Sequence, residues 1–525
     1  MAETSLSRLQ KQVDTLSRGN LRLREANERI TKQNTYLKSD IKHFKEELPI
    51  LVQNGIEKAY APLLLELKKL KEDNEHMKRI LNHNSDNTGI PTSKTKIGDK
   101  KRIPNSREKS DKSKGGQKGH SKHKLEKFED YEITDTYTNK ITPLKCGCGG
   151  KLKLTGKRCK DDFDIEIRLV KRRNEFCEYT CNCCGKEIKV PIPNKLKEEN
   201  QYGSNAQALA LSLVNEGYVS FKRTRELISG FTGMEMQMSE GYISKLQKRC
   251  YNKLKLFEAE ILKKVISQKI LCWDDTGISI NGKNACLRFY GTDTIKYYKA
   301  HEKKDKEGID EDGILKLLDK ETVVMHDHNK VNYNDDYDFT NAECCVHLIR
   351  DLKELNGVLP RKWIEDLISL LVDTNNIRKD YIDKSILYFD QEVSDKVIVK
   401  YDEIIEEATK INKEDFNQYN SSDEKTLIKR LVEYKENYLL WVLRFDVPFS
   451  NNLSERSLRG SKTKMKVSGQ FANIQSAVYF ARIKSYIETC KANGLNSHMA
   501  FIKLIEDEPY TIEEIISNTK KDDIK

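Results

Sequence analysis

A chain of 525 residues is longer than one hydrophobic core usually organises, so several domains are expected along it. Its 37% hydrophobic and 33% charged residues, a mean hydropathy of -0.71 and the lack of any run of about 18 apolar residues argue against a membrane-embedded fold. The start MAETSLSRLQKQVD has no apolar signal core, so the expected compartment is the cytoplasm and most of the thirteen cysteines are expected to be reduced; the formal net charge of +11 then asks where the charge sits.

In residues 1–82 the first element is a heptad seam. Leu9, Leu16, Leu23, Ile30 and Leu37 recur every seven residues, with Val13, Asn20, Asn27, Asn34 and Ile41 four residues after each. Asparagines in a core position lower stability but fix register, which predicts a coiled coil that makes a homo-oligomer. After a break near Pro49 and Pro62, Leu63, Leu67, Leu70, Asn74, Met77 and Leu81 predict a second helix. Residues 83–128 are nearly free of apolar side chains, and between Asn82 and Lys124 Lys and Arg outnumber Asp and Glu roughly threefold. Such a stretch cannot fold alone. It reads either as a solvated linker or as a basic strand that neutralises DNA phosphates, with Lys100, Lys101, Arg102, Lys118 and His120 as candidate contacts.

Residues 129–196 carry short alternating runs such as DFDIEIRLV and a cysteine cluster. Cys146 and Cys148 precede two glycines, and Cys181, Cys183 and Cys184 precede Gly185. Two such knuckles predict one tetrahedral structural Zn²⁺ on Cys146, Cys148, Cys181 and Cys184 in a module too small to fold without a staple. The first knuckle is one residue short of C-x-x-C, so Cys159, Cys177 and Cys183 remain alternative ligands. In residues 197–264 apolar spacing predicts several helices, one starting at Ser239-Glu240, which fit either a helix-turn-helix reader of DNA or a structural spacer.

From residue 265 the pattern turns to strands. An apolar run ends at Trp273, a short strand ends at the Asn281-Gly282 turn, and a longer hairpin follows. After the helical stretch GIDEDGILKLLDK, the strand ETVVMH ends in Asp327. Two strands each ended by an aspartate, Asp274 and Asp327, would set both carboxylates at one sheet edge. About 130 residues separate Asp327 from Glu455, which implies a helical insertion, here 359–445, between a first part of the core at 265–358 and a second at 446–510 with a tail at 511–525. Ser450, Asn451 and Asn452 are natural caps for a helix carrying Glu455, with Arg456 and Arg459 available to a phosphodiester. Three carboxylates suit a pair of Mg²⁺ (or Mn²⁺) ions, one activating water or a 3′-hydroxyl and the other stabilising the leaving oxygen. The bland alternatives are turn-forming aspartates and a Glu455–Arg459 surface pair.

These residues, in this order, resemble a transposase of the insertion sequence sixty-six family, the large catalytic subunit. The resemblance rests on Gly115-Gly116-Gln117-Lys118-Gly119-His120, on Asp274-Asp275-Thr276 against the family's D-E-T, on Asp327-His328-Asn329 against D-G-Y, on Cys344 through Arg350 as C-x-x-H-x-x-R, and on Asn451, Asn452, Glu455, Arg456 and Arg459 as N-N-x-x-E-R-x-x-R. It implies an α/β catalytic domain of ribonuclease-H-like fold with Asp274, Asp327 and Glu455 catalytic. His347, Arg350, Asn452, Arg456 and Arg459 are expected to support them. The implied partner is double-stranded DNA, the element's terminal repeats and a target, with accessory proteins of the same element as further partners. A nuclease or resolvase, and a catalytically inactive DNA-binding derivative, are the competing readings.

Overall fold

The computed structural model describes residues 2–47, 129–138, 146–153, 198–415 and 420–522, with parts of 65–74 and 159–196. The first element is one long helix, α1 (Ala2–Glu47). On its seam Val13, Leu16 and Leu23 are 54%, 70% and 45% exposed, whereas Asn27, Ile30, Asn34 and Leu37 are half-buried. The basic segment 83–128 lies outside the described residues. In the cysteine-rich stretch, β1 (Glu178–Thr180) and β2 (Glu187–Lys189) form an antiparallel pair whose residues are all exposed, with no core beneath them.

Four helices follow, as the apolar spacing predicts: α2 (Ser204–Asn215), α3 (Phe221–Phe231), α4 (Glu240–Lys253) and α5 (Lys255–Ile266). Ser220 and Ser239 cap α3 and α4 by accepting the N–H groups of Arg223 and Tyr242.

The centre is a five-stranded mixed sheet of β3 (Ile270–Ile280), β4 (Lys283–Gly291), β5 (Lys296–His301), β6 (Val323–His326) and β7 (Thr340–Glu343), in the order β5-β4-β3-β6-β7. The first three strands form an antiparallel meander, and β6 and β7 run parallel to β3. Asn281 and Gly282, with φ of 47° and 78°, make the two-residue turn that joins β3 to β4. The expectation that a strand ends just before Asp274 is corrected here, because β3 runs unbroken through it. The antiparallel ladder with β4 continues from Cys272 to Ile280 and holds the strand straight, although its parallel neighbour β6 pairs only with Ile270 to Cys272.

A short helix, α6 (Lys306–Glu311), precedes β6, and α7 (Cys345–Val358), α8 (Lys362–Asp383), α9 (Gln391–Glu414), α10 (Asn420–Glu433) and α11 (Lys435–Leu443) lie between β7 and the last part of the chain. The chain ends in α12 (Asn452–Ser468), α13 (Ile474–Ala492), α14 (Ser497–Ile505) and α15 (Ile512–Asp522). Side-chain alternation divides the sheet between two cores. Leu271, Trp273, Tyr290 and Val324 pack with α4, α5, α13 and α14 through Leu246, Phe257, Tyr486 and Phe501. Cys272, Val323, Met325 and Ala342 pack on α7 to α11 through Leu348, Trp363, Ile404, Leu431 and Trp441. Farther along β3 and β4, Ile278, Leu287 and Phe289 meet Leu458, Phe471 and Phe480. The free edge of β5 is closed by α13, where Ser485 accepts the N–H of Tyr298 and Thr489 accepts that of Lys296 and donates to its carbonyl. Gly460 lets α12 lie against Tyr218, since a β-carbon there would meet the Tyr218 hydroxyl oxygen at 1.9 Å.

Candidate active site

Register and alternation together gather the two aspartates. Cys272 is paired with Met325 and Met325 with Ala342, all on the face that packs on α7 to α11. Two residues farther along each strand, the same-face positions are Asp274, Asp327 and Cys344. Asp274 thus sits inside β3 where the apolar period asks for a core residue, between Cys272 and Ile278, while Asp327 and Cys344 follow the ends of β6 and β7.

The cost of that position is visible in its electrostatics. Burial, then the nearby Asp327 charge, push the Asp274 carboxyl up to about 7, against the N–H of Asp275 and the more distant charge of Lys462. Asp274 Oδ1 accepts the Asp275 N–H at 2.7 Å. Asp275 itself belongs to the opposite face, across from Arg288, and pairs with Lys304 at 2.8 Å. Asp327 Oδ1 lies 2.9 Å from His347 Nδ1. Two neighbouring carboxylates offer the oxygen donors that a hard divalent ion takes.

Glu455 arrives from α12. Its Oε1 lies 3.2 Å from Arg350 Nη1 and 3.4 Å from His347 Nε2, and its Oε2 lies 3.9 Å from Arg459. His347, in the first turn of α7, therefore stands between Asp327 and Glu455 and links the second strand-end carboxylate to the helix. Burial disfavours charge on the ring, but the Asp327 carboxylate and the Cys344 sulfur raise its pKa. Arg350 Nη1 lies 2.9 Å from Nε2, while Nδ1 faces the Asp327 carboxylate. Arg350 thus holds a carboxylate, the Glu455 side chain.

What aims α12 at the sheet is Asn451, a residue expected only as a helix cap. It occupies the cap position, but its side chain makes no capping bond to the helix N–H groups. Fully buried, it donates through Nδ2 to Trp273 O at 2.8 Å and accepts the Ser454 hydroxyl at 2.7 Å, while its backbone N–H donates to Cys344 Sγ at 3.2 Å. One side chain ties the residue before Asp274 to the helix carrying Glu455. Asn452, Arg456 and Arg459 are exposed at the start of that helix.

Sequence reasoning missed Asn451 as a tether, Cys344 as a site residue and Lys462 as the cation felt by Asp274. Asn451 and Cys344 lie inside quoted motifs; the polar Asn451 before an apolar turn was the available signal, and nothing local marks Lys462.

The predicted zinc ligands are only partly brought together. The backbone closes a tight turn at each knuckle, with Cys146 N–H donating to Gly150 O and Cys181 N–H to Lys186 O, both at 2.9 Å. The backbone N–H and then the thiol of Cys148 lower the Cys146 pKa; the N–H groups of Cys184 and Cys183 and the thiol of Cys184 do the same for Cys181. Yet among the described residues no three of these thiols lie within 4.8 Å of one another; the group that does so is Asp327, Cys344 and His347. Lys100, Lys101, Arg102, Lys118 and His120 lie outside the described residues. No described helix is long and apolar enough to cross a membrane.

The sequence model of a family described as Transposase IS66 family matches residues 199–479, more than half of the chain. The match begins just before α2 and ends within α13, so it spans the whole sheet, Asp274, Asp327, Cys344, His347, Arg350, Asn451 and Glu455. No curated protein matches the chain.

Proposed function

The chain belongs to the IS66 family of transposases, and from that premise we propose that it cleaves and joins the DNA ends of an insertion sequence at a two-metal site held by Asp274, Asp327 and Glu455. The observation that carries this reading is the meeting of Asp274 and Asp327 on one sheet face with Glu455, brought there by α12 and joined to Asp327 through His347. The sheet order, with three antiparallel strands followed by two parallel ones, supports a ribonuclease-H-like catalytic core, with α8 to α11 as an insertion between β7 and α12.

Magnesium or manganese, when bound, would supply Lewis acidity to the attacking and leaving oxygens at phosphorus. The protein's own part is to hold the three carboxylates within reach of the ions. Asn451 fixes the helix, Arg350 and His347 orient Glu455, and the exposed Arg456 and Arg459 flank it where a DNA phosphate can be met. Incubation with labelled terminal DNA and a target plasmid in Mg²⁺ or Mn²⁺ tests the reading. Joined products support a transposase, cuts without joining indicate a nuclease or resolvase, and shifted but intact DNA indicates a binding protein.

The remaining segments fit the needs of such an enzyme. Two DNA ends must be held together, and the exposed Val13, Leu16 and Leu23 on the seam of α1 supply a surface for a second copy. Deleting residues 1–82 is expected to lower the solution mass by light scattering from oligomer to monomer; equal masses for the two proteins would refute the coiled coil. The two cysteine knuckles suit one structural Zn²⁺, since Cys146 and Cys181 each have a lowered pKa and the hairpin that carries Cys181 has no buried residue of its own. Metal analysis of the purified protein should find zinc that is lost when Cys181 and Cys184 are replaced by serine, and zinc-free protein with freely reactive thiols would count against it.

A further inference from the structure

We infer that Cys344, His347 and Asp327 form a site for a thiophilic divalent cation, Zn²⁺ above all, which competes with the magnesium that the carboxylates serve. The inference rests on the reading of Asp327 as a catalytic carboxylate and adds a regulatory ion to that site. His347 Nδ1 lies 2.9 Å from Asp327 Oδ1 and 3.3 Å from Cys344 Sγ, and the three atoms are all within 4.8 Å of one another. Ligand atoms at tetrahedral zinc stand about 3.4 Å apart, so little movement is needed to place an ion among them.

Cys344 is buried at the edge of the apolar core on α7 to α11, but its sulfur and Asp327 Oδ1 both face His347 Nδ1. Cys344 Sγ accepts the Asn451 N–H at 3.2 Å, which fixes the direction of the sulfur. With the ion on Nδ1, a ring proton on Nε2 would face Glu455 Oε1, now 3.4 Å away, and Arg350 Nη1, now 2.9 Å from Nε2, would turn aside to leave a carboxylate–histidine–metal chain. The Cys344 proton leaves to solvent as the thiolate binds. Magnesium does not take sulfur, whereas a mixed nitrogen, sulfur and oxygen set suits zinc and stands high in its affinity order. Zinc so held would occupy Asp327 and tie Glu455 to His347, and both carboxylates would then be withdrawn from magnesium.

The test uses full-length protein and Co²⁺ as a spectroscopic stand-in for Zn²⁺. The knuckle cysteines also bind cobalt, so the readout is the difference between the parent and Cys344→Ser. The parent should bind one equivalent more, with a correspondingly larger thiolate-to-cobalt absorption band, and the zinc concentration that halves cleavage in magnesium should rise tenfold or more in Cys344→Ser. Equal equivalents and equal bands would overturn the site. Should Cys344→Ser fail to fold, Asp327→Asn keeps the thiol and should bind this equivalent at least tenfold more weakly; unchanged affinity overturns the proposal just as well. An extra equivalent bound by a protein that never cuts DNA in zinc-free magnesium buffer would uphold the site and defeat the transposase reading, so the two fail separately.

Discussion

Asp274→Ala, Asp327→Ala and Glu455→Ala proteins are each expected to fold and bind terminal DNA while losing cleavage and joining by on the order of a thousandfold or more. The reason lies in what these carboxyl groups do for the fold, which is little. Asp274 accepts one N–H from its own neighbour, Asp327 faces His347, and Glu455 meets His347 and the guanidinium groups of Arg350 and Arg459. The sign of the Asp274 shift supports the same expectation. A carboxyl raised to about 7 by burial and by Asp327 subtracts stability as pH rises from the ordinary carboxylate range through that value, so its loss should not lower the melting temperature of the metal-free protein at pH 8. Asp275→Ala is the comparison, because that side chain belongs to the other face and pairs with Lys304. Single-turnover cleavage of labelled ends decides the matter. Near-parental rates for Glu455→Ala would remove it from the site.

Asn451→Ala is expected to produce the other large effect, and on both stability and rate. It strands the Trp273 carbonyl and the Ser454 hydroxyl in a fully buried place, at a cost of about 1–3 kcal/mol. It also frees the start of α12 from β3. A shift of about an ångström in a positioned catalytic group can cost on the order of a hundredfold in rate, so Glu455 need not be touched for cleavage to fall. Asn451→Asp is the sharper variant. It keeps the shape but cannot donate to the Trp273 carbonyl, and it adds a buried negative charge close to Asp274. Urea denaturation gives the stability term and cleavage across a magnesium titration gives the rate term. A stability loss with an unchanged rate at saturating magnesium would make Asn451 a packing residue only.

Much of the sheet was legible because its signals are local. Apolar runs and the hairpin pattern gave the strands of β3 to β6, while β7 went unread; Asn281-Gly282 gave the turn, and Ser239 the start of α4. The strand boundary before Asp274 was misjudged for a physical reason. Two adjacent aspartates look like a turn, and only pairing with β4, contributed by the following residues, keeps them in a strand. The segments 1–82 and 129–196 were read from spacing alone. For the first, a long helix with a partly exposed apolar seam is present; for the second, a tight turn closes at each knuckle, but no three of the thiols come within 4.8 Å of one another among the described residues.

The sequence by itself determined which carboxylates were available, that Asp327 ends a strand and that Glu455 opens a helix, since caps, periodicity and turn chemistry act between residues a few positions apart. Only the tertiary structure decided their meeting. Strand register put Asp327 level with Asp274 on the sheet face that carries Cys344, and a buried asparagine about 180 residues downstream of Trp273 aimed Glu455 at them. Such contacts join parts of the chain that share no local pattern, and their energy exists only once the sheet has formed. For the same reason Cys344 and His347, three residues apart in sequence, became possible ligands with Asp327 only when β6 and β7 came to lie side by side.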